Sequence, residues 1–346
     1  MKRILTYAEA ILEATRQEME RDPSVIVFGL GVNDPRGIYG TTRALHQQFG
    51  DARVFDTPIS EDAMTGVGIG AALTGLRPIH VHIRMDFLLL AMNQLVNIAA
   101  KSHYMYGGAV SVPIVVRSII GRSWGQGAQH SQGLHALFMH IPGLRVVAPT
   151  TPYDAKGCLI ASIRDNNPVL FVEHRMVHNL KGHVPEEAYV VPLGQARTLA
   201  QGDDITIVGI SHMAVECMRA QHELAKVGIS AEVIDPVCLS PLDMQSILKS
   251  VQRTKRLLVV DSGWLSCGAS AEILASVAES LEDLGQIKLK RLGYAPVPCP
   301  TTPSLERLFY PNAQTIAQAA YKLVKNDDWT PDDVTAQELI EFRGPF

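Results

Sequence analysis

The sequence predicts an α/β protein of two domains, each a mostly parallel sheet flanked by helices. Three observations carry that expectation. Short apolar runs alternate with helix-patterned segments through the first half of the chain. The alternation weakens around Pro185 to Asp204, where Gln201-Gly202-Asp203-Asp204 is a turn cluster, and then resumes. The length of 346 residues is also more than one ordinary domain holds and enough for two separate cores.

Taken in order, Ser24 to Gly29 is an apolar strand ending in glycine, and Arg53 to Asp56 is a second strand. Ser60 is placed to cap a helix that carries Glu61 and Asp62 in its first turn and ends near Gly75, with Pro78 beyond. Ile79 to Ile83 reads as a strand. Phe87 to Lys101 reads as a helix that is apolar on most sides and is therefore expected to be buried. Val112 to Ile120, Leu144 to Ala148 and Val169 to Glu173 complete the first set of buried strands. In the second half, strands are expected at Ile205 to Ile210, Ala231 to Val237, Arg256 to Asp261 and near Lys288 to Leu292. Helices are expected at Ala214 to Lys226, from about Pro241, near Ala271 to Leu284 and near Asn312 to Lys325. Ser240-Pro241-Leu242-Asp243 has the cap, proline and carboxylate of a helix start. From Asp327 the chain is acidic, which suggests an exposed arm or a partner contact.

Composition excludes several classes. Apolar residues at 47% and charged residues at 19% fit a globular protein without a disordered bulk. Phe87 to Met92 is the longest apolar run, too short to span a bilayer, and Met1 to Thr6 lacks the pattern of a leader, so a cytoplasmic protein is expected. Five cysteines without CxxC spacing indicate neither a disulfide framework nor a zinc cage. A net charge of −4 gives no reason to expect nucleic acid or an anionic membrane as partner.

Several residues then compete between a structural and a chemical role. Glu61 follows Asp56-Thr57-Pro58-Ile59-Ser60 at a strand-to-helix junction. It serves either the helix dipole or proton transfer to a ligand ring. Gly66, Gly68 and Gly70 have the wrong spacing and place for a dinucleotide loop and read instead as close helix packing, within the fold or between subunits. His130, in the polar loop Gly125 to Gln132, is either solvated or an acid–base group. His80 and His82 share one side of a strand but have no third ligand spaced for a metal, and no GxSxG supports a hydrolase triad. The helix end at Ala161 to Arg164, followed by Asp165-Asn166-Asn167-Pro168, leaves carbonyls free to ligate a cation or simply terminates a helix.

The run Asp56 to Glu61, Gly75 to Ile79, Gln94 to Lys101, Ala128 to Gln132, Ile163 to Pro168 and Val260 to Trp264 occur in one order. Together, over about residues 4 to 325, they resemble the β subunit of the thiamine-diphosphate-dependent 2-oxoacid dehydrogenases, the decarboxylating component of pyruvate-dehydrogenase-type complexes. The resemblance implies a transketolase-like pyrimidine-binding domain over residues 1–185, a linker at 186–204, a transketolase C-terminal domain at 205–326 and an acidic tail at 327–346.

It also implies thiamine diphosphate as cofactor. The chain has no GDG motif, and Asn166-Asn167 lies in another context, so Mg²⁺ and the diphosphate would be held by an α subunit. Two α and two β chains are the simplest assembly, with a lipoyl acyltransferase as a further partner. Glu61 matches the glutamate that bonds N1′ of the aminopyrimidine and promotes the imino tautomer that removes the thiazolium C2 proton. Ile59 and Phe87 match positions beside that ring, and His130 matches the loop histidine facing the substrate. Ile114, Ser162, Ile163, Asp165 and Asn167 match a K⁺ site of some members, built largely from backbone oxygens.

The chain departs from the family in three places. Gly29-Leu30-Gly31-Val32 replaces a Gly-Glu-Glu-Val pattern, Arg84-Met85-Asp86 brings charges before Phe87, and Pro236-Val237-Cys238-Leu239 replaces a stretch that often carries arginine. The function implied is decarboxylation of a pyruvate-like 2-oxoacid with acyl transfer to lipoamide. Non-oxidative transfer of the acyl unit to an aldehyde or ketone is the alternative, and a non-catalytic scaffold is a third reading.

Overall fold

The computed structural model describes residues 3–121, 125–281 and 284–331. The chain divides into two compact units: the first takes in the N-terminal part to Gly121 and Leu137–Leu193, and the second takes in 125–136 and the chain from Gly194. By contacts, residues 125–136, the loop bearing His130, group with the second unit.

The elements of the first part of the chain are β1 (Ile4–Thr6), α1 (Tyr7–Arg21), β2 (Val25–Gly29), α2 (Leu45–Phe49), β3 (Val54–Phe55), α3 (Glu61–Leu73), β4 (Arg77–His82), α4 (Met85–Leu88) and α5 (Ala100–Met105). They continue with β5 (Val115–Ile120), α6 (His135–Met139), β6 (Arg145–Val147), α7 (Pro152–Arg164), β7 (Val169–His174) and β8 (Lys181–His183). The sheet order β6-β7-β5-β4-β2-β3 is parallel throughout. Its strands are buried on both faces, as the unbroken apolar runs predicted: Val27, Ile79, Val116, Leu170 and Val146 are all inaccessible to solvent. Helix α1 packs on α7 through Glu18, whose oxygens accept from Arg164 at 2.6 and 2.9 Å. It opens with a capping box in which Thr6 Oγ1 accepts from Glu9 N and the Glu9 carboxylate accepts from Thr6 N.

The second unit contains β9 (Arg197–Ala200), β10 (Ile205–Gly209), α8 (His212–Lys226), β11 (Ala231–Asp235), β12 (Cys238–Ser240), α9 (Met244–Thr254) and β13 (Arg256–Trp264). Then come α10 (Ala269–Ser280), β14 (Lys288–Tyr294), α11 (Pro303–Phe309) and α12 (Ala313–Lys325). Its sheet runs β14-β13-β10-β11-β9, parallel except for β9. Ile207, Val233 and Leu258 of the strands meet Leu224 of α8 and Ile316 of α12 in its core.

Three expectations are corrected. Ser60 sits at the start of α3 but its side chain makes no capping hydrogen bond; the backbone there, φ −159° and ψ 79°, does not aim the hydroxyl at the first free amides. The expected helix Phe87 to Lys101 is broken into α4, a 3₁₀ turn at Leu89–Ala91, a π-helical stretch at Gln94–Ala99 and α5. It is not fully buried either, because α3 covers only part of it and Leu90 remains 62% exposed. Helix α9 begins three residues later than Pro241. Ser240 is taken up in β12, and the Asp243 carboxylate caps the helix, accepting from Ser246 N at 3.1 Å. The acidic tail expected over residues 327–346 lies outside the described residues from 332 onward.

Candidate active site

Parallel sheets present ligand sites at the carboxyl ends of their strands. In the first unit the neighbours β4, β2 and β3 deliver three segments to that end. Strand β3 runs into Asp56-Thr57-Pro58-Ile59-Ser60, and α3 starts at Glu61. Strand β2 runs into Leu30 and Gly31, and β4 into Ile83, Arg84 and then α4 with Phe87. Asp56 ties two of these together: its Oδ1 accepts from Gly31 N at 2.7 Å and from Thr57 N at 2.9 Å.

Glu61 is thus the first helical residue of α3, where the unsatisfied amides favour an anion. The side chain is half-buried, and the apolar neighbours in its segment and in α4 face outward: Ile59 is 82% exposed and Phe87 38%. Asp62 is joined to the following layer by Gln94, whose Nε2 donates to Oδ1 at 3.2 Å. The three glycines of α3 separate by face. A methyl on Gly68 would lie 2.8 and 2.9 Å from Phe28 and Ile114 carbons, so this glycine lets the helix close on the sheet. A methyl on Gly66 would only touch Gln94, and one on Gly70 would meet nothing within 4 Å. With Val67 and Leu73 also exposed, the outward face of α3 is small and apolar.

Below α3, His80 and His82 lie on one side of β4 as the alternation predicted, their rings 4.2 Å apart and Phe28 stacked on His80 at 4.4 Å. Thr65 Oγ1 lies 3.4 Å from a nitrogen of each. Burial lowers both, His82 to about 4, so the pair is neutral and structural. Among the described residues no three His, Cys, Asp or Glu gather to hold a metal ion.

A second polar group was not legible in the sequence. Arg117 of β5 and Glu173 of β7 are wholly buried and paired through two hydrogen bonds, 2.7 and 3.0 Å. Arg117 also donates to Thr41 Oγ1 at 2.8 Å, and His178 Nε2 lies 3.2 Å from Glu173. Burial pushes the Glu173 carboxyl up, but Arg117 and His178 outweigh it and hold the carboxyl at about 2. Arg175 donates to the Tyr39 hydroxyl and sits over its ring at 4.9 Å. These contacts fix the loop between β2 and α2 over a cavity of about 360 Å³ whose walls include Gly31, Arg36, Tyr39, Gly40 and Ile83. The one local signal is a charge inside each of two largely apolar strands, Arg117 and Glu173, which marks each residue but not their pairing.

The other predicted residues fall elsewhere. His130 is half-buried in the loop of the second unit, its amide donating to Gly127 O at 3.4 Å. Ile114, Ser162, Ile163, Asp165 and Asn167 do come together, at the amino ends of β5 and β7, the end of the sheet opposite to Glu61. Arg77 reaches into this group, donating from Nε to Ile163 O at 2.7 Å and from Nη2 to Asp165 O. Ile114 O accepts from Val169 N, and Asp165 Oδ1 accepts from the Asn167 backbone and side chain.

The carboxyl end of the sheet thus carries a half-buried carboxylate at a helix start, with Ile59 exposed two residues before it and Phe87 exposed after β4. The fold agrees with the family comparisons. Residues 4–179 match the transketolase pyrimidine-binding domain, and residues 194–316 match the transketolase C-terminal domain. A split-gene transketolase, solved as an inactive β4 tetramer, shares the fold with a TM-score of 0.75, covering 93% of this chain and 98% of its own at 19% identity.

Closer relatives narrow the class. The chain is 44% identical to the β subunit of acetoin:2,6-dichlorophenolindophenol oxidoreductase of Cupriavidus necator, over 94% of this chain and 99% of the relative. It is 42% identical to the pyruvate dehydrogenase E1 component β subunit of Gracilaria tenuistipitata, over 94% of this chain and all of the relative. A mitochondrial pyruvate dehydrogenase E1 β subunit of Arabidopsis thaliana is 40% identical, over 91% and 88% of the two chains. The chain belongs to this family of transketolase-like β subunits.

Proposed function

We propose that this chain is the β subunit of a thiamine-diphosphate-dependent 2-oxoacid dehydrogenase component, acting on a pyruvate-like acid and passing the acyl group to lipoamide. The observation that carries the reading is Glu61, set at the start of α3 on the carboxyl edge of the sheet, the same edge that carries the exposed Ile59 and Phe87. When bound, the cofactor supplies the carbon that adds to the 2-oxo group and retains the acyl unit as CO₂ leaves. Glu61 holds a proton at N1′ of the aminopyrimidine, a task suited to a carboxyl whose surroundings lose water when a partner covers them. Ile59 and Phe87 orient the ring by apolar contact, and His130 moves a proton at the substrate side.

The site requires an α subunit to carry the diphosphate-binding domain and its Mg²⁺, with two α and two β chains as the assembly. All five cysteines are free thiols, four of them buried, which suits a reducing compartment, and we place the protein in the cytoplasm. No helix among the described residues is long and apolar enough to cross a membrane. A K⁺ ion at the oxygens of Ile114, Ser162, Ile163, Asp165 and Asn167 would share two carbonyls with Arg77, each through its second lone pair.

A second substrate is favoured by the relative named for acetoin: a 2-hydroxyketone has no carboxylate, and cleavage between its two oxygen-bearing carbons delivers the same acyl unit. The relatives' names as oxidoreductase and dehydrogenase components favour oxidative chemistry over addition to a carbonyl acceptor. The test is to co-express the chain with its α partner, load thiamine diphosphate and Mg²⁺, and compare pyruvate, branched 2-oxoacids and acetoin in dye-linked oxidation. Higher kcat/KM for a 2-oxoacid, with acylation of lipoamide, is expected. Turnover of acetoin alone would replace the 2-oxoacid reading, and carboligation without oxidation would overturn both.

A further inference from the structure

The loop that carries His130 is gripped at both ends by other parts of its own unit. On the entering side, Gly125 and Gly127 have φ of +74° and +71°, and a methyl on either would come within 2.6 Å of Thr301. On the leaving side, the chain lies flush on β13: a methyl on Gly133 would fall 1.7 Å from Ser262 O, and one on Gly263 would fall 3.0 Å from Gly133 O. At Gly125 and Gly133 the neighbouring atom is a backbone oxygen, and at Gly127 it is the Thr301 methyl, so a side chain fits at none of the three.

Two residues beyond Gly133, His135 places Nε2 at 2.9 Å from Asp261 Oδ1, and both side chains are buried. Asp261 is itself held, its Oδ2 accepting at 2.9 Å from the amide of Ser270 in the first turn of α10. That twelve-residue helix favours an anion at its start. A carboxylate there has only acceptors to offer, so the imidazole must donate through Nε2. Nδ1 is buried and makes no hydrogen bond with the described residues, so the Nε2 bond is the ring's polar anchor among them. The chain of contacts is therefore helix start, carboxylate, imidazole, loop.

We infer that His135 is a positioning residue: through its hydrogen bond to Asp261 it locks the loop of residues 125–136 and sets where His130 meets the substrate. The inference rests on the role proposed above for His130. Between the two grips the turn at Gly127 to His130 is short, and Ser131 next to His130 is fully buried, so the histidine has little freedom once the ends are fixed. Releasing the His135 end lets His130 wander by distances that matter, since a misplacement of about 1 Å costs on the order of a hundredfold in rate.

The test uses the assembled α/β enzyme with cofactor, with rates expressed per cofactor-loaded site. His135→Phe keeps a flat ring and removes the donor; His135→Gln keeps a donor near the Nε2 position. For H135F, amide exchange across residues 125–136 should speed up at least tenfold, and kcat should fall about tenfold to a hundredfold while KM changes less than threefold. H135Q should recover most of both. A merely structural role would lower the yield of assembled enzyme and leave kcat per loaded site unchanged, which overturns the inference, as would unaltered loop exchange. If H135F does not assemble, Asp261→Asn weakens the same link with little change of shape, and wild-type exchange and kcat in D261N overturn it as well. His130→Ala separates the two levels: full activity in H130A refutes the role of His130, whereas the exchange result reports the clamp independently.

Discussion

Two carboxylates in the first unit end up in opposite circumstances. Glu173, inside β7, is enclosed by this chain alone: Arg117 takes both of its oxygens and His178 adds a third contact. Glu61, at the start of α3, is half-buried at an edge where Ile59, Phe87, Val67 and Leu90 all face outward. One charge is finished within the fold and the other stands on a surface that remains apolar and open. An exposed apolar rim around a carboxylate is what the proposed ligand site and partner contact need, whereas a buried, fully paired carboxylate serves the fold.

The strongest way to break this contrast is to neutralise each carboxyl. Glu61→Gln should lower kcat of the assembled enzyme by about 10²- to 10⁴-fold and change stability by less than about 0.5 kcal/mol. Glu173→Gln should do the reverse, costing about 3–5 kcal/mol by leaving the buried Arg117 charge uncompensated. Parallel activity assays and urea unfolding of both variants decide the matter. Equal loss of stability in the two, or full turnover in E61Q, would erase the distinction.

Acid tests the interior more gently. His82 titrates near 4 in the fold, below the ordinary value of 6.5, so the unfolded chain binds more protons between those values. Stability supplied by the neutral ring is complete above pH 6.5 and is lost as pH falls towards 4, on the order of 3 kcal/mol for this one histidine. His80 shifts in the same direction and adds to the loss. Glu173, held at about 2, keeps its contribution down to pH 4.5 and surrenders it only between there and 2. Urea midpoints measured from pH 7.5 to 4.5 should therefore fall below pH 6.5; a flat profile would refute the burial of the histidine pair.

The smallest effects come from the two faces of α3. Gly68→Ala pushes a methyl into Phe28 and Ile114 and should cost about 1–3 kcal/mol. Gly70→Ala meets nothing and should stabilise the isolated chain by up to about 1 kcal/mol through helix propensity. If the outer face receives the α subunit, the same G70A should weaken α/β association, read by sedimentation at micromolar concentrations. Unchanged association would move the partner off this face.

Much of this was legible residue by residue. The strands around Val27, Ile79 and Leu170 declare themselves because a strand buried on both faces must be apolar throughout. The Asp56-to-Glu61 run declares a strand-to-helix junction because a carboxylate belongs at a helix start. Helix α1 could have been found from Thr6 and Glu9, whose spacing is a capping box. The break after Phe87 could not, since an apolar stretch does not say how many of its sides a neighbour will cover. Nor could the pairing of Arg117 with Glu173, 56 residues apart, or of His135 with Asp261, 126 apart.

By itself, then, the sequence determined the α/β class, the parallel strands, the place of Glu61 at a helix start and the family to which the chain belongs, because each depends on local pattern or on ordered motifs. The tertiary structure decided which side of α3 is closed, which charges are enclosed and where the His130 loop is held. Those outcomes depend on which distant segments meet, and no local property of either partner encodes the meeting.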